Sequence, residues 1–452
     1  MVMILRNIIA AAVLSMASIP AVCADGVLGI DGEESTSVGI YIKDLESGEV
    51  VLDHNSQLAL TPASVMKCIT AATALSVNGA SGRFVTPVAL RGAKGAAGQW
   101  NGDLVVSGCA DPTLESENFK SGLGFCDSIV VALRKKGIKK ITGAIVVRQS
   151  LKDAGPVLQW EIEDVAWPYG AGLYGFNWRD NIAKVYPNTG KTKPEVPGMK
   201  VTVTKVDGGN DLVRGVGSDH LMAYTPNTRN LKWVLNTTVP DPAAVFVAEL
   251  TAKLDEAGIT VGKKATAPSG EMTVIYRHRS QDYGEIMHSL MVRSDNLFAE
   301  GMLRSIEPGG SRKAAIKREK ELWATRGINT RYTIINDGSG LTRANRLSAH
   351  FIGDVLEWMA KSPHGDVYTS FFPRAGKEGT LRGFLSKTPL AGKIALKTGS
   401  VSTVQCYAGY KFNDDGKATH IIVILVNGFF CPRKEVREAA EMLLLDNFAP
   451  AE

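Results

Sequence analysis

The sequence predicts a mixed α/β fold of the α+β kind, with one domain assembled from both ends of the chain and a long insertion between them. Three observations carry this. A hairpin pattern followed by a helix stands near the start, and three strand-like runs and a helix close the chain. From about residue 84 the texture changes to short β-like runs between Gly, Pro and Asn turns. At 452 residues, 44% hydrophobic and 21% charged, the chain is long enough for two or three globular domains around a large buried core.

The elements follow in order. Arg6 precedes an apolar run over residues 8–16 and a small-residue stretch ending Ala21, Val22, Cys23, Ala24, the layout of a secretory signal peptide over residues 1–24. The run is shorter than the roughly 20 apolar residues a membrane span needs, so no transmembrane span is expected in the mature chain. A lipoprotein signal wants a small residue before Cys23 and finds Val22, which places cleavage after Ala24. Residues 38–51 read as a hairpin turning at Glu46, Ser47 and Gly48. A helix follows, with Thr61 as its cap and Pro62 in its first position. The insertion, residues 85–275, carries a helix near 128–135, a strand near 141–147 and a helix over 242–257 before a strand-like Gly-Ile-Thr-Val. The second part of the split domain, 276–452, continues the first part, 25–84. It holds one long helix over 283–305, strands at 394–398, 405–412 and 420–426, and a closing helix at 433–446.

Composition narrows the chemistry. Against 51 basic and 46 acidic side chains a net charge of +5 is small, and no dense Lys/Arg block argues for nucleic acid as a partner. Once Cys23 leaves with the leader, Cys68, Cys109, Cys126, Cys406 and Cys431 remain. This is an odd number, so at least one thiol stays unpaired. Cys109 and Cys126 are the expected pair, being close in sequence with turn-rich residues between them, and Cys68 is expected as a small buried hydrophobe. No CxxC pair occurs and the seven histidines do not cluster, so neither metal nor other cofactor is implied.

Three short motifs occur in order: Ser-Val-Met-Lys at 64–67, Ser-Asp-Asn at 294–296 and Lys-Thr-Gly-Ser at 397–400. They match the SxxK, SDN and KTG set of serine acyl-transfer enzymes. A lone Ser-x-x-Lys is weak, since about two arise by chance in a chain of this length. The ordered trio is far more specific. Ser64 and Lys67, three apart in a helix's first turns, share a face, so the amine reaches the hydroxyl as a candidate general base. It must be neutral part of the time, which burial and a second cation, Lys397, would favour. A second hydroxyl, Ser294, is suited to relay a proton to a leaving amine. Asn296 is suited to bind a peptide substrate, and Asp295 to hold the loop. Thr398, Gly399 and Ser400 extend the Lys397 strand as a peptide-binding edge where Gly399 permits close approach, and the amides of Ser64 and Ser400 would form an oxyanion hole. Singly, Lys67 and Ser294 would read as solvated polar residues. His54, His288 and His420 are scattered, with no setting for a Ser-His-Asp triad.

With these motifs in place, the chain resembles the class C low-molecular-mass penicillin-binding proteins, the D-Ala-D-Ala carboxypeptidase/endopeptidase family. The likeness runs along nearly all of the mature chain and includes Gly-Cys-Ala-Asp-Pro-Thr-Leu at 108–114, Trp-Pro-Tyr-Gly-Ala at 167–171, Asp-Gly-Ser-Gly-Leu-Thr-Arg-Ala-Asn at 337–345 and Ala-Gly-Lys-Glu-Gly-Thr-Leu at 375–381. The stretch from Lys67 to Ser294 is far longer than class A β-lactamases allow. The resemblance implies a transpeptidase/β-lactamase-like domain with an antiparallel sheet, interrupted after its first catalytic helix. It also implies a periplasmic enzyme cleaving peptidoglycan peptides through an acyl-enzyme on Ser64, with β-lactams as covalent inhibitors. Asp164 of the insertion stands where the family places an acidic reader of the substrate's diamino acid, and Arg343 is the matching candidate for a carboxylate. Cys109 and Ala110 depart from the family's Gly-rich turn, outside the motifs. The competing readings are a β-lactamase or esterase on the same scaffold, and a catalytically silent scaffold protein, for which intact Ser64, Lys67, Ser294, Asn296 and Lys397 have no use.

Overall fold

The computed structural model describes residues 26–119, 124–227, 234–266 and 270–449, and the expected signal peptide at 1–24 lies outside them. The fold is mixed α/β. Its main sheet has five antiparallel strands in the order Ile394–Val401, Val404–Phe412, Ala418–Asn427, Ser37–Asp44 and Val50–His54. Both ends of the chain therefore meet edge to edge, Ser37 opposite Asn427 and Asp44 opposite His420. Alternation sorts these strands' side chains between two cores. Tyr41, Ile421, Val423 and Leu425 face the helices Met66–Asn78, Tyr283–Arg293 and Ala349–Lys361. Ile40, Ile42, Ile422 and Ile424 face Val436, Ala440 and Leu444 of the helix Arg433–Phe448. Because both faces are covered, Ile421 to Val426 read as one unbroken apolar run.

A second sheet joins Val85–Lys94, Gln99–Ser107, Lys140–Ile141, Ile145–Arg148, Thr260–Val261 and Met272–Arg279. Its outgoing and returning strands are paired, Val85 opposite Arg279. The helices Phe125–Lys135 and Pro242–Glu256 cover it, with Phe125, Phe176, Trp178 and Phe246 packed ring against ring. Two three-stranded sheets complete this region. Among the described residues, no helix is long and apolar enough to cross a membrane.

Four local expectations need correction. The strand near 141–147 is two short ones, Lys140–Ile141 and Ile145–Arg148. Thr61 caps no helix. Its hydroxyl donates to the Arg343 carbonyl at 3.3 Å, and the chain enters the helix through a 3-10 turn, Ala63–Val65, with no side-chain cap. The helix expected over 283–305 is broken. Ser294 takes a left-handed conformation, φ 61°, and ends Tyr283–Arg293, while the Asp295 carboxylate accepts the Phe298 N–H at 2.9 Å and starts Asn296–Ser305. Helical periodicity continues through such a break because both halves bury apolar faces in one core. Finally, Cys109 and Cys126 are both free, as are Cys68, Cys406 and Cys431. The expected pair belongs to different cores, Cys109 packing beside the cluster around Met66–Asn78 and Cys126 beside the one around Phe125 and Phe246.

One backbone contact fixes the entry to the first helix. Ala63 is itself left-handed, φ 46°, and its carbonyl lies against Gly340, φ 76°, where an added Cβ would stand 1.9 Å from the Ala63 oxygen. Gly340→Ala should therefore cost more than about 1 kcal/mol of stability. Differential scanning calorimetry should read this as a melting temperature several degrees lower, and an unchanged value would show that the turn yields.

Candidate active site

Ser64 lies in the 3-10 turn ahead of Met66–Asn78, where a backbone N–H has no acceptor within its own helix and remains available. Lys67, one turn on, is wholly buried. Its Nζ donates to Ser64 Oγ at 2.9 Å, Asn296 Oδ1 at 2.6 Å and the Ser339 carbonyl at 2.6 Å. An ammonium has three N–H groups, and here each has an acceptor. Burial pulls the Lys67 amine down from 10.5 to about 8, against the upward pull of Asp337, Asp295 and Glu300.

The broken helix supplies the second motif. Left-handed Ser294 accepts from Lys397 Nζ at 3.0 Å, and Lys397 also donates to the Thr398 carbonyl at 2.6 Å. Asn296 is oriented by two bonds: its Oδ1 faces Lys67, and its Nδ2 donates to the Tyr169 carbonyl at 2.8 Å. Lys397 is wholly buried and held well below the usual lysine range, first by burial and then by the charge of Lys67. Lys67 has carboxylates on several sides, whereas Lys397 feels burial and the charge of Lys67.

The Lys397 strand is an edge of the main sheet. Leu396 donates its N–H away from the sheet, to the Pro373 carbonyl, so by alternation the N–H groups of Thr398 and Ser400 face the same outer side. Thr398 Oγ1 donates to Thr380 Oγ1 at 2.8 Å. Gly399 serves a nearer neighbour than expected: an added Cβ would come within 2.7 Å of the Pro62 carbonyl and 3.0 Å of the Ser64 nitrogen, so its bare backbone makes room for the serine turn.

These groups border a cavity of about 470 Å³ lined by Ser64, Asp164, Tyr169, Ser294, Asn296, Leu341, Arg343, Thr380, Thr398, Ser400, Val401 and Ser402. Lys67 and Lys397 lie beneath it. Asp164 and Arg343 reach it from opposite chain segments, and Arg343 lies 3.9 Å from Glu161 with both side chains about half exposed. Partial burial raises the Asp164 carboxyl, and a hydrogen bond with Tyr169 opposes this. Sequence reasoning assigned no role to Tyr169, Thr380 or Ser339. All three lie in segments that carried the family likeness, Trp-Pro-Tyr-Gly-Ala, Ala-Gly-Lys-Glu-Gly-Thr-Leu and Asp-Gly-Ser-Gly-Leu-Thr-Arg-Ala-Asn. Ser339 acts on Lys67 through its backbone carbonyl, which no side chain advertises.

A serine held by a buried lysine, a second serine held by a second buried lysine, and an open strand edge across the cavity define a serine-nucleophile hydrolase. The chain matches the D-Ala-D-Ala carboxypeptidase 3 (S13) family over residues 25–447 and belongs to it. It is a serine peptidase. A D-alanyl-D-alanine carboxypeptidase of Actinomadura sp. (strain R39) is 27% identical over 440 residues, covering 88% of this chain and 79% of that one. The D-alanyl-D-alanine carboxypeptidase DacB of Haemophilus influenzae is 25% identical over 433 residues, covering 88% and 86%. In fold, the chain superposes on penicillin binding protein 4 of Haemophilus influenzae with a TM-score of 0.77, at 24% identity over 91% of this chain and 96% of that one. It superposes on Bd3459, a predatory peptidoglycan endopeptidase of Bdellovibrio bacteriovorus, with a TM-score of 0.53 at 15% identity, covering 92% and 94%.

An amine can take a proton from Ser64 only in its neutral form, and the neutral fraction of Lys67 grows as pH rises. Acylation of Ser64 should therefore accelerate about tenfold per pH unit below about pH 8 and level off above it. Stopped-flow rates with a serine-acylating probe between pH 5 and pH 9 would check this, and a flat profile would remove Lys67 as the base.

Proposed function

We propose that this enzyme removes the terminal D-Ala from peptidoglycan stem peptides and opens D-Ala–diamino-acid cross-links, acting in the periplasm after loss of the leader. The observation that carries this reading is the Lys67 Nζ to Ser64 Oγ contact of 2.9 Å beside an open strand edge. An extended D-Ala-D-Ala end pairs with the edge at Thr398 to Ser400. Lys67 takes the Ser64 proton as Oγ attacks the penultimate D-Ala carbonyl, and the N–H groups of Ser64 and Ser400 receive the oxyanion. Ser294, backed by Lys397, relays the proton now on Lys67 to the departing amine, which leaves Lys67 neutral and an ester on Ser64. Water then cleaves the ester with the same groups in reverse, and the products are the shortened peptide and D-Ala. Asn296 binds the peptide's amide. Relatives named as carboxypeptidases and a fold neighbour titled an endopeptidase support both outcomes for one site.

A β-lactam presents a strained amide to the same serine, and the penicillin binding protein 4 of Haemophilus influenzae is known in complex with one. Benzylpenicillin should add once to the wild type and persist, as read by intact-protein mass spectrometry. An adduct on Ser64→Ala would remove Ser64 as nucleophile, and rapid turnover would favour the β-lactamase reading. Mass analysis of digested peptidoglycan checks the natural reaction, and intact stem peptides would favour the silent scaffold.

Asp164 and Arg343 are proposed to read the charged end of the diamino acid next to the scissile bond. Loss of one charge-assisted hydrogen bond, about 1.5–3 kcal/mol, predicts a roughly ten- to hundredfold fall in kcat/KM for Asp164→Ala on diamino-acid stem peptides. Acylation by benzylpenicillin, which lacks that side chain, should stay nearly unchanged. Equal losses on both substrates would instead indicate a disturbed cleft.

A further inference from the structure

A buried carboxylate outside the three motifs sits behind Lys67. Glu300 follows Asn296 by one helical turn in Asn296–Ser305 and is wholly buried. Its Oε1 accepts the backbone N–H groups of Gly338 at 2.9 Å and Ser339 at 3.0 Å, and its Oε2 accepts Arg312 Nε at 3.3 Å. Every one of these partners is a donor, the setting of an ionised group. The carbonyls of the same two residues are bound from the opposite side. Gly338 O accepts from Thr70 Oγ1 at 2.7 Å and Ser339 O from Lys67 Nζ at 2.6 Å. Residues 338 and 339 are thus clamped between Glu300 and the Ser64 helix. Position 338 has no room for a side chain, since a Cβ would come within 2.9 Å of Leu303 Cβ and 3.1 Å of the Ala299 carbonyl.

We propose that Glu300 is a positioning residue for Ser64 chemistry: it aims the Ser339 carbonyl at Lys67 and supplies part of the negative charge that retains the lysine's proton between turnovers. This rests on Lys67 acting as the base. The groups facing Lys67 are Ser64 and Cys68 on its own helix, Asp295, Asn296 and Glu300 on the next, Asp337 and Ser339 on the loop, and Lys397 on the strand. Glu300 faces Asp337, which together with burial raises its carboxyl, and Arg312, which lowers it. Glu319, from the Arg312 helix, is pushed up to about 7 by burial. Of the other two near carboxylates, Asp295 caps its own helix at Phe298 N, and Asp337 is bonded largely within its loop. Asp337 accepts from Gly340 N, Thr342 N, Ser339 Oγ, Asn345 Nδ2 and, from the insertion, Trp160 Nε1. Glu300 is the group that ties this loop to the helix carrying Asn296.

The charge and the aim separate in two variants of the full-length enzyme. Glu300→Gln keeps the length and removes the charge, so the acid limb of the acylation profile should move to lower pH by about one unit. Glu300→Asp keeps the charge but is too short to hold both N–H groups, so the limb should stay while the plateau falls about tenfold or more. Benzylpenicillin acylation against pH gives both readings, with melting temperatures measured alongside. A limb unmoved in Glu300→Gln, or a Glu300→Asp plateau within about twofold of wild type, would overturn the proposal. If Glu300→Gln does not fold, Glu300→Asp decides alone by the same criterion. A wild type with no acid limb would instead count against Lys67 as base, a different failure.

Discussion

The structure is organised around one buried amine. Lys67 lies in a helix with no solvent to satisfy it, and an unsolvated ammonium in a protein interior costs several kcal/mol unless its protons are taken up by acceptors. Three acceptors do this, and each comes from a different stretch of chain: Ser64 one turn earlier, Asn296 after the long insertion, and Ser339 on the following loop. The requirement dictates much of the surrounding backbone. It needs the break at Ser294 that turns Asn296 inward, and the loop whose Gly338 and Gly340 allow two backbones to approach.

The long stretch between Lys67 and Ser294 shares in that constraint. Its Tyr169 carbonyl fixes the amide of Asn296, its Trp160 indole holds Asp337, and its Gln159 carbonyl accepts from Thr342. Val157 and Trp160 pack on Leu341. Segment 157–169 is therefore a wall of the cleft and a brace for the groups around Lys67. A change in its position would be felt both at the cavity, through Asp164, and at the amine, through Asn296.

The parts legible in the sequence were those written in side-chain pattern. Alternating and periodic apolar residues announced the fold class, the terminal hairpin and the closing strands, because burial selects those residues directly. The three motifs announced Ser64, Lys67, Ser294, Asn296 and Lys397, which the fold brings into two bonded pairs with Asn296 completing the first. Features set by backbone were hidden. The break at Ser294 leaves helical periodicity intact, and the bond from Lys67 to Ser339 is independent of that residue's side chain. Gly399, expected to make space for substrate, instead lies against the backbone of Pro62, Val65 and Ser64. Proximity in sequence also misled for Cys109 and Cys126, which the chain sends to separate cores.

The two lysines together explain how an amine becomes a base at neutral pH. Two buried amines that feel each other's charge resist being charged together. Asp337, Asp295 and Glu300 favour the charge on Lys67 against burial, while burial and the charge of Lys67 depress Lys397. At pH 7 an ordinary lysine spends roughly 5 kcal/mol to become neutral, and one titrating near 8 spends roughly 1 kcal/mol. Complete burial without carboxylates would lower that cost further, yet it would also yield a base too weak to draw a proton from a hydroxyl. The acids behind Lys67 therefore set a compromise between availability and strength, and Lys397, held below the usual lysine range, supports Ser294 through its bond of 3.0 Å.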